Sequence, residues 1–363
     1  MRDWAVNGDW FYRNCQFISE ESEVKNIFKN LGLYNFPVRF SSYVDLFGKE
    51  LITNNFQGPV YDEQVDKITL STKQEKKSLK NRLSQYPEKI SSKLIEWIKY
   101  LGFDPTEAYE NLVYYFGLDR VYLSKHTNDL KEYKKNSLLA DTLYGLPNNF
   151  LGKKCSSAYL PQKGYSNFFD QIKKTLEKIK IIEKPNIDLP SEILEGLKST
   201  KEKVPDAKIF WTASPVILNK AFGFNKLLSK PVVACNSVLY CKNPFNSPFY
   251  IQVFSLKTRV TRIYFYENKA TIEWLPSPNK SDNEEASVLE FFKLILNKLS
   301  GTNFKVFNIL KTFKETRFML TNYYDLENLT QISNQAKNLG LICTPWHFYG
   351  RDAKISYFKS YLK

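Results

Sequence analysis

Apolar positions change period along the chain, and each change predicts an element. Val24, Ile27, Phe28 and Leu31 recur at helical spacing behind Ser19 and the acidic Glu20, Glu21 and Glu23; Gly32 follows. That is a short capped helix. Brief apolar runs at 37–40, 43–47 and 50–52, broken by Gly48, Gly58 and Pro59, predict short strands and loops. From 74 to 149 the period is helical. Asp104-Pro105-Thr106-Glu107 has the form of a capped helix start, with Ala108, Leu112, Val113, Tyr115 and Phe116 on its apolar face and Gly117 as its stop. A turn at Gly164 leads into a helix capped by Ser166, with Phe169, Ile172, Leu176 and Ile179 inward. Residues 180–205, charged and punctuated by proline, predict little core.

Beyond residue 207 a two-residue period takes over. Strands are predicted at 208–215, 232–240, 249–256, 259–266 and 270–275, with Glu267-Asn268-Lys269 as a hairpin turn. Ser281-x-x-Glu284 is a capping box opening a helix that Gly301 ends. A strand at 304–310, a helix at 326–339 and a strand at 341–343 complete the reading. No internal repeat is present.

Composition narrows the function classes. With 363 residues, 43% hydrophobic and 15% aromatic, the chain holds one large domain or two ordinary ones. No run of eighteen apolar residues occurs and no signal peptide is read, so a reduced, cytoplasmic protein is expected. The five cysteines (15, 155, 235, 241 and 343) include no C-x-x-C, and with two histidines a zinc cluster is not expected. The net charge of +14 comes from 43 lysines and only nine arginines. Scattered lysine fits solvated faces better than the arginine forks of base recognition. A nucleic-acid binder therefore ranks third, whereas an anionic small molecule such as a nucleotide sugar suits the charge.

Candidate chemistry is sparse. The fourteen glycines form neither G-x-G-x-x-G nor G-x-x-x-x-G-K. His126 lies in a polar stretch and reads as solvated; His347, between Trp346 and Phe348, is the better candidate. Gly350-Arg351 follows an apolar segment. The glycine leaves room for a ligand, and the arginine offers a donor fork for a diphosphate.

Three segments together resemble the flavin-dependent amine-oxidase and UDP-galactopyranose-mutase-like superfamily. Tyr159-Leu-Pro-x-x-Gly164-Tyr-Ser-x-Phe is similar to its Pro-x-Gly-Gly helix start, with one glycine in place of two. Ile209-Phe-Trp-Thr-Ala-Ser-Pro resembles the strand closing its cofactor domain. Gly350-Arg351-x-Ala353 with Tyr357-Phe358 resembles its Gly-Arg-x-Ala segment. The superfamily's glycine-rich dinucleotide turn has no counterpart here.

The resemblance implies an α+β, α/β-derived fold. A reduced FAD-binding-type domain (1–60, 150–225 and 340–363) and a helical portion (61–149) would join a mixed-sheet substrate-type domain with helices over one face (226–339). It implies FAD-dependent oxidoreductase-like or nucleotide-sugar-mutase-like activity in surface-polysaccharide synthesis, with an incomplete cofactor site. FAD would be held by Gly350, Arg351, Tyr357, Trp346 and Gly164. Arg259, Arg262 and Tyr264, read as sharing one strand, would meet an anionic substrate. The alternative is a non-catalytic binding or assembly protein that completes its site with a second chain.

Overall fold

The computed structural model describes residues 3–13, 17–19, 29–30, 35–54, 58–63, 77–124, 132, 134–145, 158–175, 190–206, 208–211, 214–278, 283–301, 308–343, 357 and 360–361. β1 (Trp4–Val6) and β2 (Asp9–Phe11) form a hairpin, followed by β3 (Ile18–Ser19), β4 (Asn35–Val44), β5 (Leu51–Asn54) and β6 (Val60–Tyr61). Helices Leu79–Leu83, Glu88–Tyr100 and Leu112–Phe116, β7 (Tyr122–Leu123) and helix Leu138–Leu143 come next. β8 (Ala158–Pro161), helix Gly164–Thr175, helix Pro190–Lys203, β9 (Ile209–Trp211) and helix Pro215–Ala221 precede the long strands. These are β10 (Lys230–Tyr240), β11 (Phe249–Phe254), β12 (Val260–Tyr266) and β13 (Lys269–Trp274). Helix Glu284–Ser300, β14 (Lys311–Leu320), helix Leu326–Asn338 and β15 (Leu341–Cys343) follow.

Nine strands make the central sheet, in the order β14-β10-β13-β12-β11-β4-β8-β3, with β5 also on β4. β4 runs parallel to β11 and every other pairing is antiparallel, so the sheet is mixed and the fold α+β. β9 and β15 pair in parallel as a separate two-stranded sheet under helices Pro190–Lys203, Pro215–Ala221 and Leu326–Asn338, packed around Ile193, Leu218, Leu329 and Ile332.

The pleat sorts the central sheet's side chains by residue parity. One face carries Ile251, Val253, Ile263, Phe265, Ile272 and Trp274, sealed by Phe291, Phe292 and Ile295 of helix Glu284–Ser300. The other face has two different covers. At one end Val44, Ala234, Phe254 and Leu275 lie under the helices of residues 79–144. At the other end Val38, Val238, Tyr250, Tyr264 and Tyr266 lie under the β1–β2 hairpin and helix Gly164–Thr175.

Several sequence expectations change. The run at 37–40 and the start of the run at 43–47 belong to one strand, β4, which ends at Val44, and Gly48 (φ 82°) lies in the turn towards β5. Ser19 lies in β3, and most of the helix expected after it falls outside the described residues. Asp104 does cap, accepting from the Thr106 amide at 2.7 Å, but no helix follows until Leu112. Ala108 and Tyr109 instead bridge to Asn322 and Ser78, so tertiary pairing claims the backbone a helix would need. Residues 190–203 are helical, with Ile193 buried. Of the strand expected at 304–310, residues 304–307 lie outside the described residues, and β14 begins at Lys311. Helix Glu284–Ser300 covers one face of the sheet, and the helices on the other face come from residues 79–144 and 164–175. Helix Gly164–Thr175 begins at Gly164 itself, which puts Ser166 in its first turn.

Candidate functional site

Between the two covers of the sheet runs a row of polar residues. Cross-strand pairing places Asn236 opposite Glu273, Glu273 opposite Arg262, Arg262 opposite Gln252, and Gln252 opposite Ser42. Directly paired residues share a face, so the row crosses five strands on one side. All five are buried. The large majority of buried polar groups in folded proteins are hydrogen-bonded.

Two of the row's hydrogen bonds end on helix Leu112–Phe116. Gln252 Nε2 donates to the Phe116 carbonyl at 3.0 Å, and Arg262 Nη2 donates to the Tyr115 carbonyl. Gly117, at φ 65°, ends this helix in a left-handed turn. Glu273 accepts from Arg262 (3.1 Å) and from Arg317 of β14 (2.7 Å). Burial alone raises the Glu273 carboxyl, but the two guanidiniums outweigh it and hold it below its ordinary value. An ionised, doubly paired carboxylate is a poor general base. Asn236, fully buried, has no hydrogen-bond partner for either side-chain atom among the described residues.

Arg259 and Arg262, expected to face an anion together, part company. They are three residues apart, and the β12–β13 register shifts between Val260 and Arg262. Arg259 gives its fork to the carbonyls of Tyr100, Leu101, Leu275 and Pro276, the first two at the end of helix Glu88–Tyr100. Each arginine thus meets the negative end of a helix dipole rather than a ligand. Tyr264 is wholly buried in the aromatic cluster, 6.0 Å from Tyr250 and 5.9 Å from Tyr266 between ring centroids.

Gly164 is committed to the N-terminus of the chain. It has φ 79°, and a Cβ there would collide with the Asp3 carboxylate and come within 3.1 Å of the Trp10 ring. Asp3 Oδ2 accepts from the Ser166 amide at 2.9 Å, and the Asp3 amide donates to Ser166 Oγ at 2.9 Å. Trp10 stacks on Tyr266, with Lys269 Nζ 4.6 Å from its centroid. In the sequence Asp3, Trp10 and Lys269 carry no motif: Trp10 is one of several N-terminal aromatics and Lys269 a turn residue.

Of the C-terminal candidates, Gly350, Arg351, Trp346 and also His347 lie outside the described residues, as does His126. Tyr357 is described. With Tyr361 it walls a pocket of about 450 Å³ whose other sides are Thr330, Ser333, Asn334 and Lys337 on one helix face and Gly340 to Cys343. The two tyrosine hydroxyls are 3.1 Å apart. Burial, helped by Tyr361, pushes the Tyr357 phenol up to about 12, and burial pushes the Cys343 thiol up to about 11. Neither is a nucleophile near neutral pH. No group of three or more His, Cys, Asp or Glu among the described residues could hold a metal, and no helix there is long and apolar enough to cross a membrane.

No protein-family model and no curated protein sequence matches the chain. Solved structures do. A reduced UDP-galactopyranose mutase superposes with a TM-score of 0.60 at 12% identity, covering 98% of this chain and 81% of that one. The two share a fold. That is the fold the three sequence segments implied, and at this identity the likeness is of fold alone. A protoporphyrinogen-oxidase-type protein from Exiguobacterium sp. 255-15 (TM-score 0.49, 10% identity, 99% of this chain and 89% of that one) is weaker. So is a fatty acid isomerase from P. acnes that produces CLA (0.48, 9%, 99% and 88%). Nothing rests on either. The flavin implied by the resemblance does not fit at Gly164, where a carboxylate already receives the helix amide that a phosphate would need.

Proposed function

We propose that this chain is a flavin-dependent oxidoreductase-like or nucleotide-sugar-mutase-like protein whose ligand is an anionic sugar nucleotide, working in surface-polysaccharide synthesis. One observation carries the reading: the fold of UDP-galactopyranose mutase extends over 98% of the chain. On this reading a flavin is held along the C-terminal segment by Gly350, Arg351 and Trp346, with Tyr357 at the edge of the neighbouring pocket. Gly164, Arg259, Arg262 and Tyr264 act instead as structural residues. The +14 charge favours an anionic ligand.

A ligand that binds the native state must raise its melting temperature. FAD and UDP-galactopyranose, added separately and together to purified protein, are expected to raise it in a dose-dependent way, and Arg351→Ala is expected to abolish the FAD response. A colourless protein whose melting ignores both compounds would overturn this reading.

That outcome would favour the second reading, a non-catalytic binding or assembly protein that keeps the fold and completes its site with another chain. Its specific support is that Arg259, Arg262 and the Gly164 helix, all candidates for anions, are occupied by this chain's own carbonyls and carboxylate.

A further inference from the structure

A helix that opens on a glycine at φ 79° offers backbone amides to an acceptor. In helix Gly164–Thr175 that acceptor comes from 163 residues away in the sequence. Asp3 exchanges two hydrogen bonds with Ser166, its carboxylate accepting the Ser166 amide and its own amide reaching Ser166 Oγ, both at 2.9 Å. Directly beside it the Trp10 ring would lie 3.1 Å from a Cβ at Gly164. An aromatic plane and one carboxylate oxygen are therefore seated together on a glycine-opened helix.

Independent anchors hold that pair in place. Lys269, almost fully buried, pairs with Asp9 at 2.6 Å and lies over the Trp10 ring. The Tyr240 hydroxyl donates to Asp9 at 3.3 Å. Trp4 stacks on Phe313 of β14 with ring centroids 4.6 Å apart and planes inclined by 1°. The Tyr12 amide donates to the Tyr266 hydroxyl at 3.0 Å. The contacts reach β10, β12, β13 and β14, so the segment is fastened along most of its length.

We propose that the N-terminal segment of residues 3–11 is the resident occupant of the Gly164 helix, with Asp3 in the position of a phosphate and Trp10 in that of a planar ring. External phosphates and diphosphates are thereby excluded from this helix. The proposal concerns the helix alone and stands whether or not a flavin binds along the C-terminal segment.

Amide hydrogen exchange of the full chain, read by mass spectrometry with and without millimolar ADP, tests it. In the wild-type protein the Tyr165–Ser166 amides are expected to be protected, and ADP is expected to leave exchange over 3–11 and 164–168 unchanged. Asp3→Ala is expected to raise Ser166 exchange at least tenfold while helix Glu284–Ser300 keeps its protection, which reports that the rest of the sheet is folded. Two results would overturn the proposal: Ser166 exchange indifferent to Asp3→Ala, or ADP exposing 3–11 while protecting 164–168 in the wild type. The ADP arm needs no variant, so it decides the matter even if Asp3→Ala does not fold. FAD binding without change at these amides would leave this inference standing, which separates its failure from that of the flavin reading.

Discussion

Arg262 on β12 and Glu273 on β13 meet at 3.1 Å, their side chains 10% and 5% exposed, and Arg317 reaches the same carboxylate from β14. The triad lies where the helical cover of the sheet gives way to the aromatic one. Through Arg262 it also binds the end of helix Leu112–Phe116.

Replacing Glu273 by Gln should therefore cost more than a surface charge would. Removing one member of a buried ionic group leaves the others uncompensated, at about 3–5 kcal/mol. Urea denaturation is expected to show a loss of that order. The folded Glu273 carboxyl lies below its ordinary value of 4.5, so its stabilisation is complete at neutral pH and is lost as pH falls below 4.5 through the folded value. The variant should lack that part of the acid sensitivity; an unchanged acid limb would refute the assignment.

Arg259→Ala should destabilise by at least about 1.5–3 kcal/mol, the worth of one hydrogen bond from a charged donor, since four carbonyls lose theirs. Arg259→Lys should recover only part, because an ammonium cannot span the same acceptors. Equal stability of all three proteins would show that the clasp contributes nothing.

Gly164→Ala should cost roughly 1–3 kcal/mol from its left-handed backbone alone, with the Asp3 collision adding to it. Thermal melts measure this. A neutral result would mean that the N-terminal segment does not pack on this helix.

Lys269→Met tests the other side of that segment. Burial tends to raise the Asp9 carboxyl, yet the hydrogen bond and charge of Lys269 hold it below its ordinary 3.8. The carboxyl resonance of Asp9 should titrate at higher pH in the variant. Asp9 contributes stability above pH 3.8 that is lost as pH falls through its depressed value, and this contribution should shrink as well. No movement of the Asp9 titration would exclude the pair.

The local pattern was enough for much of this fold. Strands β10 to β13, the strand positions of β9 and β15 and the stops at Gly117 and Gly301 follow from residue period and glycine placement, because pleat and helix impose their periods on whatever sequence fills them, whereas the α+β class was implied by the family resemblance. β14 carries no two-residue apolar period, because charged Lys311, Lys314, Glu315 and Arg317 interrupt it, as suits a strand at the edge of the sheet. The candidate site was legible only as residue types. Whether Arg262 faces a ligand or a helix end, and which carboxylate takes the Gly164 helix, depends on partners 147 and 163 positions away. A sequence window reports what a residue is able to bond; only the packed sheet, by bringing distant donors and acceptors within 3 Å, decides which bond it makes.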